Sequence, residues 1–401
     1  QNFIYLEAIQ KKVNNNSFST INLASIIFAL GTVIPAITLS DYIEIPSERY
    51  VFKGIGTILL AFSLGVLIFV GRRRISKSNL FFLFMIVTLP FLFAVSASIY
   101  SFSDSLVQWL RFIAVVIIVL FLSSLEENEL LKILKIYIYL VFLLALISIY
   151  QYFVGYPTYE KFPLLNISSN KSIIFEQNVY GIFVYMSFLI FGFLSLSEKK
   201  LRSFVTNIVF LFGIFISFYR TIYAFVILRF FSKYKFFSLF LGTSGIIISI
   251  FYFSEIGLNI AEFLNFDQFD TLSGRTALWS IAIDSFYNAP ILGLGENAIP
   301  VVSNEVLNRN PAYTTYHNVL LDVLAVSGII GFLLYGFIFI YTLSFIEKGH
   351  RFIFLMLMAP ALLNTYYAFM PNPLGGILGA FIFYSMKKRV NRLQNLKVYG
   401  E

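Results

Sequence analysis

Tyr313-Thr-Thr-Tyr-His317-Asn318-Val-Leu-Leu-Asp322 closes a long polar loop and opens a long apolar run, residues 316–346. At about 1.5 Å of rise per residue such a run crosses a hydrocarbon core of roughly 30 Å. His317 is one of only two histidines in 401 residues. Imidazole is the side chain that titrates nearest neutral pH, which suits it to general-base work on a hydroxyl. The stretch therefore marks both a membrane span and a candidate centre of chemistry at its mouth.

Working outward, the composition agrees with the span. Hydrophobic residues make up 58% of the chain and charged residues 12%, against about one quarter charged in a soluble domain. The expected fold class is an all-α polytopic membrane protein with about 12 transmembrane helices. Apolar runs place spans near 21–39, 52–70, 80–98, 108–124, 133–152, 177–196, 203–219, 220–231, 236–253, 316–346, 352–369 and 374–386. The first run lacks a small-residue cleavage site and reads as a span, not as a cleavable signal. The domain plan is nine spans over 1–253, one large loop over 254–315, three spans over 316–386 and a basic, solvated tail over 387–401. The formal charge of +8 reports topology and anionic lipid, with no nucleic-acid partner expected. Without cysteine, disulfides, thiolate metal sites and cysteine nucleophiles are excluded.

The basic residues assign the sides. Of the 29, only Arg49, Lys53, Arg111, Lys161, Lys171, Arg220, Arg275 and Arg309 fall in one of the two alternating sets of connections. Positive charge stays inside, so both termini are expected in the cytoplasm, and the loops 153–176 and 254–315 outside. Nucleotide sugars and ATP are absent outside, so transfer chemistry there needs a pre-activated, membrane-borne donor.

Within the large loop, Glu255–Phe266 has the spacing of an interfacial helix. Thr276–Tyr287 reads as a second helix, stopped by Asn288-Ala-Pro290 and followed by Gly293-Leu-Gly295. Arg275 stands where that helix begins. Free N–H groups there favour an anion, and a guanidinium adds a bidentate phosphate clamp. Arg220, between two apolar runs, either snorkels to the outer interface or binds the same anion. Arg111, after Trp109, reads as a snorkelling residue with possible substrate contact. Gln177 and Asn178 suit sugar hydroxyls or neighbouring helices. Thr314 or Thr315 is the expected cap of the 316–346 helix. On that helix Asp322 falls about 140° from His317, poorly placed to orient it, which leaves Tyr313 and Asn318 as the nearer candidates. His350, in the Glu347–Arg351 connection, is the expected solvated control. Neither Asp41-Tyr-Ile-Glu44 nor Asp267-Gln-Phe-Asp270 has the close spacing that holds Mg²⁺ or Mn²⁺ in many membrane glycosyltransferases, so no metal and no cofactor are expected.

Ser273-Gly-Arg275 with Trp279, then Pro290-Ile-Leu-Gly293-Leu-Gly295, His317-Asn318-x-x-Leu321 and Ser327-Gly328-Ile-Ile-Gly331 together resemble the O-antigen ligase and O-antigen polymerase superfamily. Phe218-Tyr219-Arg220-Thr221 resembles that family's Ser-Arg element, with Tyr in place of Ser. Gln177-Asn178 with Tyr180-Gly181 resembles its Asn-containing element. The resemblance covers roughly 170–335. It implies a GT-C-like fold in a bacterial cytoplasmic membrane and an undecaprenyl-diphosphate-linked glycan as donor. It further implies His317 as the base on the acceptor hydroxyl, with Arg275 and Arg220 on the diphosphate. The acceptor is a lipid A core for a ligase, or a second lipid-linked unit for a polymerase. A lipid-oligosaccharide transporter is the rival from a different class; it calls for ionisable residues at mid-membrane, whereas the notable charges here sit at the outer face.

Overall fold

A computed structural model describes residues 22–34, 48–69, 80–100, 102–154, 159–162, 167–169, 177–194, 200–217, 220–231, 275–295, 316, 318–362 and 372–398. The helices are α1 (Asn22–Val33), α2 (Glu48–Phe69), α3 (Leu80–Tyr100), α4 (Phe102–Ser124), α5 (Glu127–Val154), α6 (Gln177–Leu194), α7 (Lys200–Ser217), α8 (Arg220–Phe231), α9 (Arg275–Asn288), α10 (Val319–Phe345), α11 (Arg351–Met358) and α12 (Pro373–Val398). Two of them, α5 and α10, are long and apolar enough to cross a membrane by length and composition. The span expected at 236–253 and the interfacial helix at 255–266 lie outside the described residues.

Most apolar runs are helices where the sequence puts them, and the departures have local causes. The 352–369 run is α-helical only through Met358 and continues as a 3-10 turn over Ala359–Leu362. Pro360 has no N–H to continue the α-helical ladder, although Ala359 before it keeps the α conformation. The last helix does not stop at 386. It runs on through Val398, because Lys387-Lys-Arg-Val-Asn-Arg-Leu-Gln-Asn-Leu-Lys397 contains neither Gly nor Pro. Helical residues are joined by one small addition to the all-α plan. An antiparallel hairpin, β1 (Tyr159–Phe162) with β2 (Ile167–Ser169), pairs Tyr159 with Ser169 and Glu160 with Ser168. The paired strands satisfy part of their own backbone N–H and C=O groups.

α6 and the first half of α12 are enclosed on every side. Tyr180, Ile182, Phe183, Val184, Tyr185 and Met186 are fully buried, as are Ile377, Leu378, Ala380 and Phe381. A helix apolar all round is a core helix. Around it Phe28 stacks on Phe121 with centroids 4.3 Å apart, and Tyr137 meets Phe183 edge-on.

Contacts fix which helix ends lie together. Ser96, near the end of α3, donates to the carbonyl oxygens of Leu292 and Gly293, and this loop bonds to α10 at Ala325, Val326, Ile329 and Ile330. Trp109, near the start of α4, donates to Ser98 of α3 at 3.1 Å. α7 touches β2, and Tyr223 of α8 turns back to donate to the Phe215 carbonyl of α7 at 2.6 Å. At the far end Phe193 of α6 packs on His350, and Lys387 of α12 donates to the Ser123 and Leu125 carbonyls that finish α4. The starts of α4, α6, α8, α9 and α10 therefore share one end of the bundle. Lys348, Arg351, Lys387, Arg389 and Arg392 share the other.

The far end corrects two expectations. His350 is not a solvated residue: it is 2% exposed, with Nδ1 2.8 Å from Ser385 Oγ and its ring against Phe193, Phe381 and Tyr384. Burial first, then the Lys388 charge, lowers its pKa to about 4, against a smaller upward pull from Glu347. The residues after 386 are not a free tail either. Arg389 donates to the Ser344 carbonyl at the end of α10, and Arg392 pairs with Glu347 at 2.6 Å. Cations at helix C-termini satisfy orphan carbonyls and complement the dipole, which ties Lys387 and Arg389 to the bundle while residues 390–395 stay exposed.

Candidate functional site

The site end is built from α9 and the first half of α10. α10 starts later than the apolar run. Asn318 is its N-cap, and its side-chain oxygen accepts from Leu320 N at 2.9 Å and Leu321 N at 3.2 Å. The cap expected from Thr314 or Thr315 is thus taken by Asn318, an amide oxygen that answers two of the orphan N–H groups. This start also revises Asp322. The wheel angle to His317 applies only inside a helix, and His317 precedes this one. Asp322 is 4% exposed, in the first turn, where a carboxylate complements the dipole. It reaches back to accept from Tyr316 N at 3.4 Å.

Tyr316 is 1% exposed and fixed from several sides. Its carbonyl accepts from Trp279 Nε1 at 3.1 Å, and its hydroxyl lies 3.0 Å from Ser285 Oγ. Its ring shares a small apolar cluster with Leu278, Ile281, Ala282 and Ala325. Trp279 and Ser285 both belong to α9, and Trp279 is one turn from Arg275, which opens that helix. The first turn of α9 thus lies against the residue that precedes His317.

The other side of the unit is a backbone exchange. Gly328 breaks α10 at φ 62°, ψ −161°, a conformation only glycine adopts readily. In an unbroken helix Ile329 N would donate to Ala325 O, and Ile330 N to Val326 O. Instead Ala325 O accepts from Leu294 N at 2.9 Å, and Val326 O from Gly295 N at 3.1 Å. Ile329 N donates to Pro290 O at 2.9 Å, and Ile330 N to Ile291 O at 3.5 Å. All four freed groups are paired by the loop that follows α9. The approach is close enough that a Cβ on Gly293 would meet Val326 backbone at 2.3 Å, and one on Gly328 would meet Ile291 O at 2.4 Å. The two glycine motifs of the sequence are therefore each other's partners, and they tie α9 to Val319–Ser327.

The remaining candidates are distributed around the same end. Arg220 opens α8, and Gln177 and Asn178 open α6; these starts are grouped through α7. Arg111 is half-buried on α4. His317 and Tyr313 lie outside the described residues. Among the described residues no three of His, Cys, Asp and Glu converge as metal ligands. Tyr316, Ser285 and Ser96 were not singled out by the sequence. Tyr316 was the nearest to hand, inside the quoted stretch itself, but nothing local distinguishes it from Tyr313.

Residues 178–336 match the family model for O-antigen ligase. A comparison with curated proteins finds no match. The matched stretch runs from the first turn of α6 to beyond the break in α10, and so contains Arg220, Arg275, His317, Asp322 and both halves of the glycine exchange.

Proposed function

From the kinship of residues 178–336 with the O-antigen ligase/polymerase superfamily, we propose that the protein is a membrane glycosyltransferase. It moves a glycan from an undecaprenyl-diphosphate donor to an acceptor hydroxyl at the outer face of a bacterial cytoplasmic membrane, with both termini inside. The observation that carries this reading is the Trp279–Tyr316 bond, which sets the turn opened by Arg275 against the residue before His317.

His317 takes the proton of the acceptor hydroxyl as the oxygen attacks the anomeric carbon. The bond from that carbon to the diphosphate oxygen breaks, and the electron pair leaves with the diphosphate. Negative charge grows on the leaving group, so Arg275 and Arg220 stabilise the transition state more than the ground state. A single displacement inverts the anomeric centre. The arginines carry the charge that a divalent cation carries in other transferases. Asn178, Gln177 and Arg111 are available to glycan hydroxyls or to a second lipid anion. A ligase acceptor, such as a lipid A core, is the first reading. Joining two lipid-linked chains is the alternative, since both reactions use one base and one diphosphate clamp.

The test is transfer in detergent with EDTA from a short undecaprenyl-diphosphate glycan, offered a lipid A core or a second lipid-linked unit. Product with inverted anomeric configuration is expected, and the acceptor consumed distinguishes ligase from polymerase. Donor binding without product from either acceptor would favour a transporter instead.

A further inference from the structure

Three polar groups of Tyr316 are each held by a different side chain: the carbonyl by Trp279, the hydroxyl by Ser285 and the N–H by Asp322. Two of these partners come from α9 and one from α10. Core filling does not require them. Phenylalanine at 316 and alanine at 285 would pack the cluster of Leu278, Ile281, Ala282 and Ala325 without burying a hydroxyl pair. Satisfied buried polar networks specify one arrangement over its near neighbours, which apolar contacts do not. The residue so fixed is bonded directly to His317, and the residue on the other side, Asn318, is fixed as the helix cap. Covalent geometry keeps adjacent Cα atoms about 3.8 Å apart, so fixing both neighbours limits the reach of the residue between them.

We propose that Tyr316 is a positioning residue for His317, held in register with the α9 turn of Arg275 by Trp279, Ser285 and Asp322. This rests on the reading of His317 as the base. The network ties the residue before His317 to the α9 helix that Arg275 opens, and an in-line displacement depends on such alignment. Misplacement by about 1 Å costs on the order of a hundredfold in rate, so a loosened network shows in turnover before it shows in donor affinity.

The experiment measures kcat and donor KM, with melting temperature in detergent, for Trp279→Phe, Tyr316→Phe, Ser285→Ala, His317→Ala and the exposed, distant Lys348→Ala. Trp279→Phe removes the indole N–H and keeps an aromatic ring; Tyr316→Phe and Ser285→Ala each break the hydroxyl pair. The expected result is a fall in kcat of about tenfold in each network variant. Donor KM stays within twofold and Lys348→Ala matches wild type. Equal kcat in Trp279→Phe, Tyr316→Phe and Ser285→Ala alongside an inactive His317→Ala overturns the positioning role alone. A raised KM at unchanged kcat also overturns it, assigning the network to donor binding. Full activity of His317→Ala overturns the base reading and this inference with it.

Discussion

Replacing Gly328 with alanine forces a choice between two conformations, and both are costly. If the break in α10 persists, alanine occupies a region that only glycine adopts readily, at about 1–3 kcal/mol. Its Cβ also meets Ile291 O at 2.4 Å, so the loop must move. If α10 straightens, the bonds from residues 329 to 325 and 330 to 326 form, but the four exchanged bonds are lost. Two net hydrogen bonds at about 0.5–1.5 kcal/mol each come to about 1–3 kcal/mol, and the half-buried loop is left with unpaired groups. A loss of about 2–4 kcal/mol in the local stability of the 290–295 loop follows by either route. The assay is native-state amide exchange at Leu294 and Gly295, where protection should fall by roughly thirty- to a thousandfold. Gly336→Ala is the internal comparison. It lies in the same helix, its Cβ would meet nothing within 4 Å, and helix propensity predicts a gain of up to about 1 kcal/mol. Unchanged protection at Leu294 and Gly295 in Gly328→Ala would refute the exchange.

Other consequences are smaller or lie at the far end. His350 binds its proton less readily folded, near pH 4, than unfolded, near 6.5. The unfolded state therefore holds more protons between those values, and stability falls as pH drops through about 6.5 and levels near 4. The melting temperature of His350→Gln followed from pH 7 to 4 should show a shallower slope than wild type, and an equal slope would exclude His350 as the source. Asn318→Ala should cost about 1 kcal/mol through loss of the α10 cap, measured by thermal unfolding in detergent. Arg392→Ala should cost less than about 1 kcal/mol, because Arg392 is largely exposed in its pair with Glu347. Lys387→Ala should cost more than Arg392→Ala in the same melts, since it strips a charged donor from two carbonyls at the end of α4.

How much was legible depended on how far the deciding contact lay along the chain. Helix positions followed from apolar runs, since length and polarity of a segment suffice to read a span. The start of α9 at Arg275 and its stop at Asn288 were legible because Pro290 and the glycines behind it punctuate locally. The break at Gly328 was not, for a glycine inside an apolar run reads as a tolerated helix residue until the loop at 290–295 appears beside it. The bond from Tyr316 N to Asp322 was not legible, because helical angles do not carry back past the start of α10 at Val319. His350 looked solvated among Glu347, Lys348 and Arg351, while the group that buries it, Ser385, lies 35 residues away. Greater separations hid the docking of Lys387, 262 and 264 residues from its acceptors, and of Arg389, 45 residues from its own. Tyr316 stayed hidden because its two side-chain partners on α9 are 31 and 37 residues upstream.

The central claim is that His317 moves a proton in a transfer whose leaving group is held by Arg275. Single-turnover transfer from a labelled undecaprenyl-diphosphate glycan, with donor binding measured on the same samples, tests it most directly. The account predicts that His317→Ala binds donor as wild type does and transfers it about a hundred- to ten-thousandfold more slowly. Arg275→Ala should lose about a hundred- to a thousandfold in the same step, while Lys348→Ala matches wild type. Wild-type transfer by His317→Ala would contradict it.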